Sequence, residues 1–460
     1  MAEKSAAPAK RRGDMTQGSV YKTLLAFAVP TLLTNVLNQL YNAADSVIVG
    51  RFVGPEALAA VGANTMVTML FVSLFVGAGV GGGVYVAQLM GARKYEEISE
   101  AFNTMYCLIA LMAAATGILA NIFAVPLMKL MNTPANIFDD TVLYFRVYCA
   151  ALPGLALYSS GSAGLRSLGD ARAPLYFLIF SAILNVVLNL LFVAVFRWGV
   201  AGVAWATLIA QYCSAAFVLL RTGTTKLVKI TISFKTLRIK WRIVKIIMKL
   251  GIPSALQTCV QSLGSVLVQR YINMFGSDAV AALTTVMKID GFLLMPVQSI
   301  GMSMSVFFGQ NLAAKKHDRL HKATIFGCSF SVALSVVLSV LLYIFIRPLM
   351  SLFTDSAVVI ELGASVVGTM CYFYWCMGLF NIFSGIMRGA GDTMTVMVVS
   401  LIGTILRVPL TYLMAVRPQP MVFVNIFWAM AICNVLMFVL ILGYYFTGRW
   451  KKKVVVTVDD

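Results

Sequence analysis

Long apolar runs recur along the chain, and no other feature limits the possible folds as strongly. Runs of about 20 apolar residues, long enough to cross the hydrocarbon core of a bilayer, occur from the first fifty residues to the last forty. Charged residues make up only 12% of the 460 residues, whereas a soluble domain carries about 25%. The sequence therefore predicts an all-α integral membrane protein that lies almost entirely in the bilayer.

Twelve helical segments can be assigned to these runs. They cover residues 21–50, 57–88, 98–120, 139–160, 174–196, 200–221, 243–270, 279–310, 321–346, 358–384, 394–416 and 423–446. Because the number of crossings is even, both termini are expected on the same side of the membrane.

Lysines and arginines concentrate on one face of these spans. The tail through Lys22, the linker 221–249, the loop 315–322 and the tail 449–453 hold most of the 27 on that face, and the opposite face has six. The positive-inside rule makes the basic face cytoplasmic, so we expect a plasma-membrane protein with both termini in the cytoplasm. Loops beside anionic headgroups explain the net charge of +18, which therefore does not indicate nucleic-acid binding.

The cysteines and histidines give no indication of an enzyme or a metal site. All eight cysteines fall within apolar runs and lack the spacing of zinc or iron–sulfur ligands, so we interpret them as small core residues. His317 and His321 share one predicted loop, and no cluster of acids or nucleophiles occurs in the spans. No metal, cofactor or catalytic residue is expected.

The two halves of the chain resemble each other at an offset of 222–223 residues. Four pairs of segments match in this one register: PLMKLMNTP from Pro126 with PLMSLFTDS from Pro348, LRSLGDA from Leu165 with MRGAGDT from Met387, AQLMGARK from Ala87 with GQNLAAKK from Gly309, and VYKTLLAFAVP ending at Pro30 with IVKIIMKLGIP ending at Pro253. Four matches in one register are difficult to attribute to chance.

Each half contains six predicted spans, so both halves enter from the same side and the repeat is parallel. Its pseudo-twofold axis is expected along the membrane normal, with a substrate site between the lobes that rocking exposes to each side in turn. The predicted units are an N-terminal tail 1–20, an N-lobe 21–221, a basic linker 222–242, a C-lobe 243–446 and a C-terminal tail 447–460.

Polar side chains form a stripe on one face of the first predicted helix. Their spacing of i, i+3, i+4, i+7 and i+10 is that of a single helical face, and they are Asn35, Asn38, Gln39, Asn42 and Asp45. The seventh segment repeats the stripe as Ser254, Gln257, Gln261 and Ser265. We therefore expect Asn38, Asn42, Gln257 and Gln261 to line a watery cavity for substrate.

Asp45 belongs to the first half alone, because Val268 takes its place in the second. A charge at mid-bilayer costs about 2.5–3.5 kcal/mol on insertion scales. An acid that gains and loses a proton there would couple transport to an ion gradient, whereas the alternative is a structural Asp that pins the helix end. Asn185, Asn189 and Thr207 are expected either to hydrogen-bond this acid or to join helices as polar contacts.

The second half has charges of its own. Lys288 and Asp290 lie in the eighth segment, about 200° apart on a helix, and Arg407 takes the repeat position of Asn185. Either the two cations are neutralised within the lobe, with Asp290 the nearest acid by composition, or they face the cavity and meet an anionic group on the substrate. We expect neutralisation, and count all three residues among the cavity candidates.

Several motifs give the chain a resemblance to the multidrug and toxic compound extrusion (MATE) transporters over nearly its whole length. They are ADSVIVGRFVGPEALAAVG at 44–62, AQLMGA at 87–92, LRSLGDARAP at 165–174 and GVAGVAWAT at 199–207. The resemblance implies two six-helix lobes in a V shape and drug efflux driven by H⁺ or Na⁺.

The same resemblance implies roles for individual residues. Asp45 matches the family's acid in helix one, and Asn185 and Thr207 match polar members of the same network. Asn189 stands where members with the full network have a second Asp, which leaves Asp45 as the single N-lobe acid. The sodium-linked subgroup has acids in helices seven and ten, but segment seven here has none and segment ten has only Glu361 near its outer end. This pattern favours H⁺ over Na⁺.

We therefore expect a secondary active antiporter that exports amphipathic, cationic organic compounds in exchange for H⁺. The expected partners are these small molecules and membrane lipid, with no nucleic acid, and the chain is expected to act as a monomer. The alternative is a flippase or exporter of an anionic or lipid-linked substrate, which Lys288 and Arg407 would suit.

Overall fold

The structure is a computed structural model that describes residues 13–131, 133–225, 227–231, 239–418 and 420–458. The predicted tails 1–20 and 447–460 and the predicted linker 222–242 lie partly outside these residues.

Helices make up most of the described chain. They are α1 Val20–Phe52, α2 Pro55–Gly91, α3 Tyr95–Ile122, α4 Ala124–Leu130, α5 Phe138–Ser167, α6 Arg172–Asn189, α7 Gly199–Thr224, α8 Trp241–Asn273, α9 Ser277–Ala313, α10 His317–Ser351, α11 Ala357–Met370, α12 Tyr374–Ala390, α13 Thr393–Thr411 and α14 Asn425–Phe446. In this part of the chain, eleven helical spans are long and apolar enough to cross a membrane, and the bent pair α11–α12 makes a twelfth. The expected all-α membrane fold is confirmed.

The tenth predicted segment is not one helix. It breaks between Met370 and Tyr374 with a bend of 55°, although the intervening residues Cys-Tyr-Phe contain neither Gly nor Pro. The Tyr374 hydroxyl at the start of α12 donates to Asp290 of α9 at 2.6 Å. A contact between distant helices, rather than a local helix breaker, therefore marks the bend.

Two further departures from α-helix occur at matching places in the repeat. Helix α6 continues as a π-helical turn over Leu190–Val195, and α13 continues as one over Tyr412–Val416. The two turns begin 222 residues apart. Such turns are rare and often accompany functional sites, and their recurrence makes them part of the repeated architecture.

Following the sequence repeat, we call α1–α7 the N-lobe and α8–α14 the C-lobe; the two are in extensive contact, since α2 packs on α8 and both α1 and α2 pack on α9. The lobes share apolar cores at the end of the bundle that carries residues 13–19 and 447–458, called here the terminal face. One core joins Met15 and Phe27 to Phe307 of the second lobe, and another joins Leu89 to Ile247. Burial of this apolar surface holds the lobes together at the terminal face.

Close contact between α2 and α8 extends this junction toward the middle of the bundle. A Cβ added to Gly81 would stand 2.3 Å from the carbonyl oxygen of Ile247, and one added to Gly77 would stand 2.6 Å from the Cβ of Ala255. Helix α2 runs unbroken through this glycine-rich stretch. The glycines therefore serve close helix packing, as small residues do between membrane helices.

The lobes still touch at the middle of the bundle, where Ser73 contacts Cys259 at 3.0 Å and Asn35 donates to Ser299 at 3.1 Å. Farther from the terminal face, Gln39 lies beside Gly291 of α9, where an added Cβ would stand 3.6 Å from its Nε2. Other side chains of α1 are exposed there, at residues 38, 40, 42–43 and 46–47, as are those of α8 at 261, 263 and 265–267. The first helix of each lobe is therefore exposed toward the face opposite the terminal face.

Candidate functional site

The acid predicted in the first helix lies against two asparagines of α6. Asn189 Nδ2 donates to Asp45 Oδ1 at 2.6 Å and to Asn185 Oδ1 at 2.9 Å. Both asparagines are fully buried, whereas Asp45 is partly exposed. The structure thus brings together three residues that the sequence singled out on two separate helices.

Two polar atoms of this cluster have no partner within the described chain. They are Nδ2 of Asn185 and Oδ1 of Asn189, and both are buried. An unpaired buried polar group costs about 1–3 kcal/mol, and such groups commonly mark a site for a water, an ion or a ligand. One turn of α6 therefore offers an unused N–H donor and an unused amide oxygen, and the carboxylate of α1 beside it adds a second kind of acceptor.

Tyrosines complete the surroundings of the acid. Tyr41 of α1 and Tyr144 of α5 lie within electrostatic range of the Asp45 carboxylate. Thr207 of α7 lies next to Tyr41, but its buried Oγ1 has no hydrogen-bond partner among the described residues, so it does not bond Asp45. Tyr144 stacks on Tyr148 with ring centroids 6.1 Å apart. The position of Tyr41, one turn before Asp45, was a signal available in the sequence, but nothing in the sequence marked Tyr144.

The C-lobe has a site of opposite charge at the equivalent position. Arg407 and Thr411 of α13 stand 222 residues after Asn185 and Asn189. Nε of Arg407 and Oγ1 of Thr411 are buried and have no partner among the described residues. The buried Val268 replaces the acid. One lobe therefore presents a carboxylate where the other presents a guanidinium.

The expected neutralisation of the C-lobe cations by Asp290 is wrong. Asp290 accepts the hydroxyl of Tyr374, and in the part of the chain that the structure describes no ion pair joins it to Lys288 or Arg407. Lys288 is exposed and its Nζ stands 5.8 Å from the centre of the Phe353 ring. The helical spacing predicted that Lys288 and Asp290 point apart, but it gave no sign that the break before α12 brings a tyrosine to the acid.

The predicted cavity residues divide into two groups. Asn38, Asn42 and Gln261 are exposed in the half of the bundle that is farther from the terminal face. Gln257 is only 5% exposed; it donates to Ser400 at 2.9 Å and accepts from Arg388 at 3.0 Å. Gln257 therefore does not line open space, because α8 is packed at that depth.

Comparison with known proteins gives a consistent picture. The MatE family model matches residues 30–191 and, separately, residues 253–413. The probable multidrug resistance protein YoeA of Bacillus subtilis is 27% identical over 445 residues, which is 95% of each chain. The FAD transporter of Shewanella oneidensis is 25% identical over 401 residues, covering 85% of this chain and 87% of that one. A MATE structure solved in the bent conformation superposes with a TM-score of 0.88 at 21% identity, covering 97% of this chain and 99% of that chain.

Proposed function

The chain belongs to the MatE family, whose members are transporters rather than enzymes, and on this basis we propose that it is an H⁺-coupled multidrug antiporter. It exports amphipathic organic compounds, of which cations are the first candidates, from the cytoplasm across the plasma membrane. The terminal face is then the cytoplasmic face, and a substrate cleft between the lobes opens on the opposite face, toward the outside. Relatives named as multidrug resistance proteins support this reading.

The observation that carries the proposal is the contact between Asp45 and Asn189. When ionised, the carboxylate accepts from Asn189 Nδ2. When protonated, it gains an O–H that needs an acceptor, and Asn189 Oδ1 lies unused beside it. The amide can thus bond either protonation state after a turn of its side chain, so that gain or loss of a proton rearranges the contact between α1 and α6.

The acids of the C-lobe favour H⁺ over Na⁺ as the driving ion. Helix α8 contains no acid. Glu361 of α11 is exposed and forms an ion pair with Arg347 at 3.0 Å, so its carboxylate is engaged at the surface. Neither helix offers a free carboxylate ligand for a cation of the kind that Na⁺ needs.

Asp45→Asn tests the proposal in proteoliposomes with an imposed pH gradient and a fluorescent organic cation. We expect gradient-driven transport to be lost while the thermal unfolding midpoint stays close to that of the wild type, because the new amide oxygen still accepts from Asn189. Asp139→Asn, which changes an exposed acid at the start of α5, is the matched control. Near-normal transport by Asp45→Asn would rule out this acid as the coupling group.

A second candidate, the export of an anionic or lipid-linked compound, is favoured by the unpartnered guanidinium of Arg407. A half-buried cation without a partner suits a phosphate or carboxylate, and one relative is named as a transporter of FAD, which contains a pyrophosphate. Arg407 takes the repeat position of Asn185, which lies in the cluster around the N-lobe acid. The same fold can therefore present a negative charge to a substrate from one lobe and a positive charge from the other.

Arg407→Met separates the two candidates when cationic and anionic compounds are tested in parallel. If the substrates are cations, their transport is retained, because removal of a repelling charge leaves the coupling acid intact. If the substrates are anions, their transport is lost. Arg270→Met, at the exposed end of α8, is the control for a general effect of losing one positive charge.

A further inference from the structure

Two buried glutamines at the terminal face join the lobes in a symmetric way. Gln88 of α2 donates to the carbonyl oxygen of Gly389 in the C-lobe at 3.0 Å. Gln310 of α9 donates to the carbonyl oxygen of Ser167 in the N-lobe at 2.9 Å. Donors and acceptors are each 222 residues apart, so the pseudo-twofold axis exchanges one bond with the other.

The other end of each side-chain amide binds a terminal segment of the chain. Gln310 Oε1 accepts the backbone N–H of Met15 at 2.9 Å, and Gln88 Oε1 accepts that of Val455 at 2.8 Å. The segment that precedes the N-lobe is therefore bonded to the C-lobe, and the segment that follows the C-lobe is bonded to the N-lobe. Each terminus crosses the junction between the lobes.

The N-terminal segment 13–18 is fixed by further contacts with the C-lobe. Arg319 of α10 donates to the carbonyl oxygens of Met15 at 2.9 Å and Gly18 at 2.6 Å. Lys316 donates to that of Thr16 at 2.7 Å. These charge-assisted bonds to backbone carbonyls hold the segment across the junction whatever side chains it carries.

The C-terminal segment 449–458 is held mainly by apolar burial. Trp450 is 2% exposed and stacks on Tyr445 with centroids 5.4 Å apart. Val456 enters the core shared with the N-lobe, and the N–H of Val458 donates to the carbonyl oxygen of Ala313 at 3.3 Å.

Glycines with positive φ make room for both segments. Gly169 and Gly391, again 222 residues apart, have φ of +87° and +88°. A Cβ on Gly169 would stand 2.2 Å from the carbonyl oxygen of Gly13, and one on Gly391 would stand 2.9 Å from that of Lys453. The two termini therefore pass equivalent points of the repeat before they reach the two glutamines.

We propose that Gln88 and Gln310 form the gate that closes the terminal face in the transport cycle, and that segments 13–18 and 449–458 lock it. The proposal rests on alternating access as part of the proposed function. A primary amide carries a donor and an acceptor on one rigid plane, so a single glutamine can bind the partner lobe and a terminal segment together. Separation of the lobes at this face breaks both bonds between the lobes together, and it strains each terminal segment between the lobe that it is covalently joined to and the lobe that it is bonded to. This makes the gate a two-state element.

Hydrogen exchange measured by mass spectrometry tests the gate without any transport assay. In Gln88→Met and Gln310→Met the side chain keeps its length and loses both bonds. We expect amide exchange in both terminal segments to accelerate about tenfold in each single variant, as for a loss of about 1.4 kcal/mol. Gln269→Met, at the exposed outer end of α8 and bonded only to Asn273 within the described residues, should leave both segments unchanged.

Acceleration only at the amide that lost its bond would overturn the proposal, since it would reveal two independent contacts rather than a gate. A truncation after Lys453 covers the case in which a glutamine variant does not fold. It removes the partner of Gln88 together with the contacts of Val456 and Val458, but it leaves Gln310 and its bonds intact, and a gate requires faster exchange in segment 13–18 as well. Unchanged exchange there would also overturn it.

The proposed function and the gate fail separately. If the wild-type protein carries out no proton-driven transport but the exchange results hold, the coupling proposal falls and the gate stands. If Asp45→Asn abolishes transport and the glutamine variants exchange like the wild type, the gate falls and the coupling proposal stands.

Discussion

At the residue scale, one amide determines how Asp45, the proposed coupling acid, is held. The single Nδ2 of Asn189 bonds both Asp45 and Asn185, so that the acid is linked to α6 through one side chain. A hydrogen bond from a neutral donor favours the ionised form of a carboxylate. The pH dependence of transport should therefore respond to changes at Asn189.

Asn189→Ala should move the pH dependence of transport toward higher pH without abolishing transport, because the ionised carboxylate loses its donor. Asn189→Asp should add a second titrating group, since two adjacent carboxylates do not ionise independently. Transport rates from about pH 5 to about pH 9, a range above the usual aspartate pKa of about 3.9, provide the measurement. Asn121→Ala, on α3 away from the acid, is the control, and an unchanged profile in both Asn189 variants would contradict the role.

Residues of this kind could be predicted only in part. The helical stripe and the comparison of the two halves identified Asp45, Asn185 and Asn189, because spacing and asymmetry are properties of sequence. Periodicity does not reveal which helices are neighbours, however. For that reason the partner of Asp290 was predicted incorrectly, and Gln257 was predicted to line a cavity although α8 is buried at its depth.

At the element scale, the α2–α8 crossing depends on the absence of side chains. Gly81→Ala would force a Cβ to within 2.3 Å of a backbone oxygen that has no freedom to move aside. We expect a lower thermal unfolding midpoint in detergent, from an overpacking cost of about 1–3 kcal/mol, and weaker closure of the terminal face.

Gly62→Ala provides a matched control on the same helix. A Cβ at Gly62 would meet nothing within 4 Å, and Ala is favoured over Gly in a helix by about 0.5–1 kcal/mol. The unfolding midpoint should therefore stay the same or rise. If the two variants lose equal stability, helix packing at Gly81 is not the cause.

The helices were predictable as elements, but their interruptions were not. Apolar length predicted the spans, because the bilayer sets the length of a crossing helix. The break before Tyr374 and the π-helical turn after Asn189 contain no Gly or Pro, whereas Pro409 lies three residues before the π-helical turn that begins at Tyr412. The break before Tyr374 is accompanied by a contact between helices that are far apart in sequence, the hydrogen bond from Tyr374 to Asp290.

At the scale of the whole molecule, the repeat predicts that the two lobes move as rigid bodies between two states, and that the lobes separate at one face in the first state and at the opposite face in the second. Ser73 and the native Cys259 lie across the lobe junction with Oγ and Sγ 3.0 Å apart. In Ser73→Cys, two sulfurs would replace this contact at a separation from which a disulfide of about 2.05 Å can form.

We expect a membrane-permeant oxidant to inactivate Ser73→Cys and a reductant to restore its transport, because the disulfide holds the terminal half of the lobes together. Ser73→Ala, and Ser73→Cys combined with Cys259→Ser, should be insensitive to the oxidant. Full transport by the cross-linked protein would mean that the lobes need not separate at this level.

Each terminal segment is bonded to the lobe at the other end of the chain, and this determines when the contacts of the terminal face can form during synthesis. Segment 13–18 leaves the ribosome early, but its acceptor Gln310 lies 295 residues after Met15. At about 5–20 residues per second, this partner appears roughly 15–60 s later. The closing contacts of the terminal face can therefore form only after both halves have been translated and inserted, and a prematurely stopped chain leaves its first segment undocked, open to recognition by the proteases that remove incomplete products.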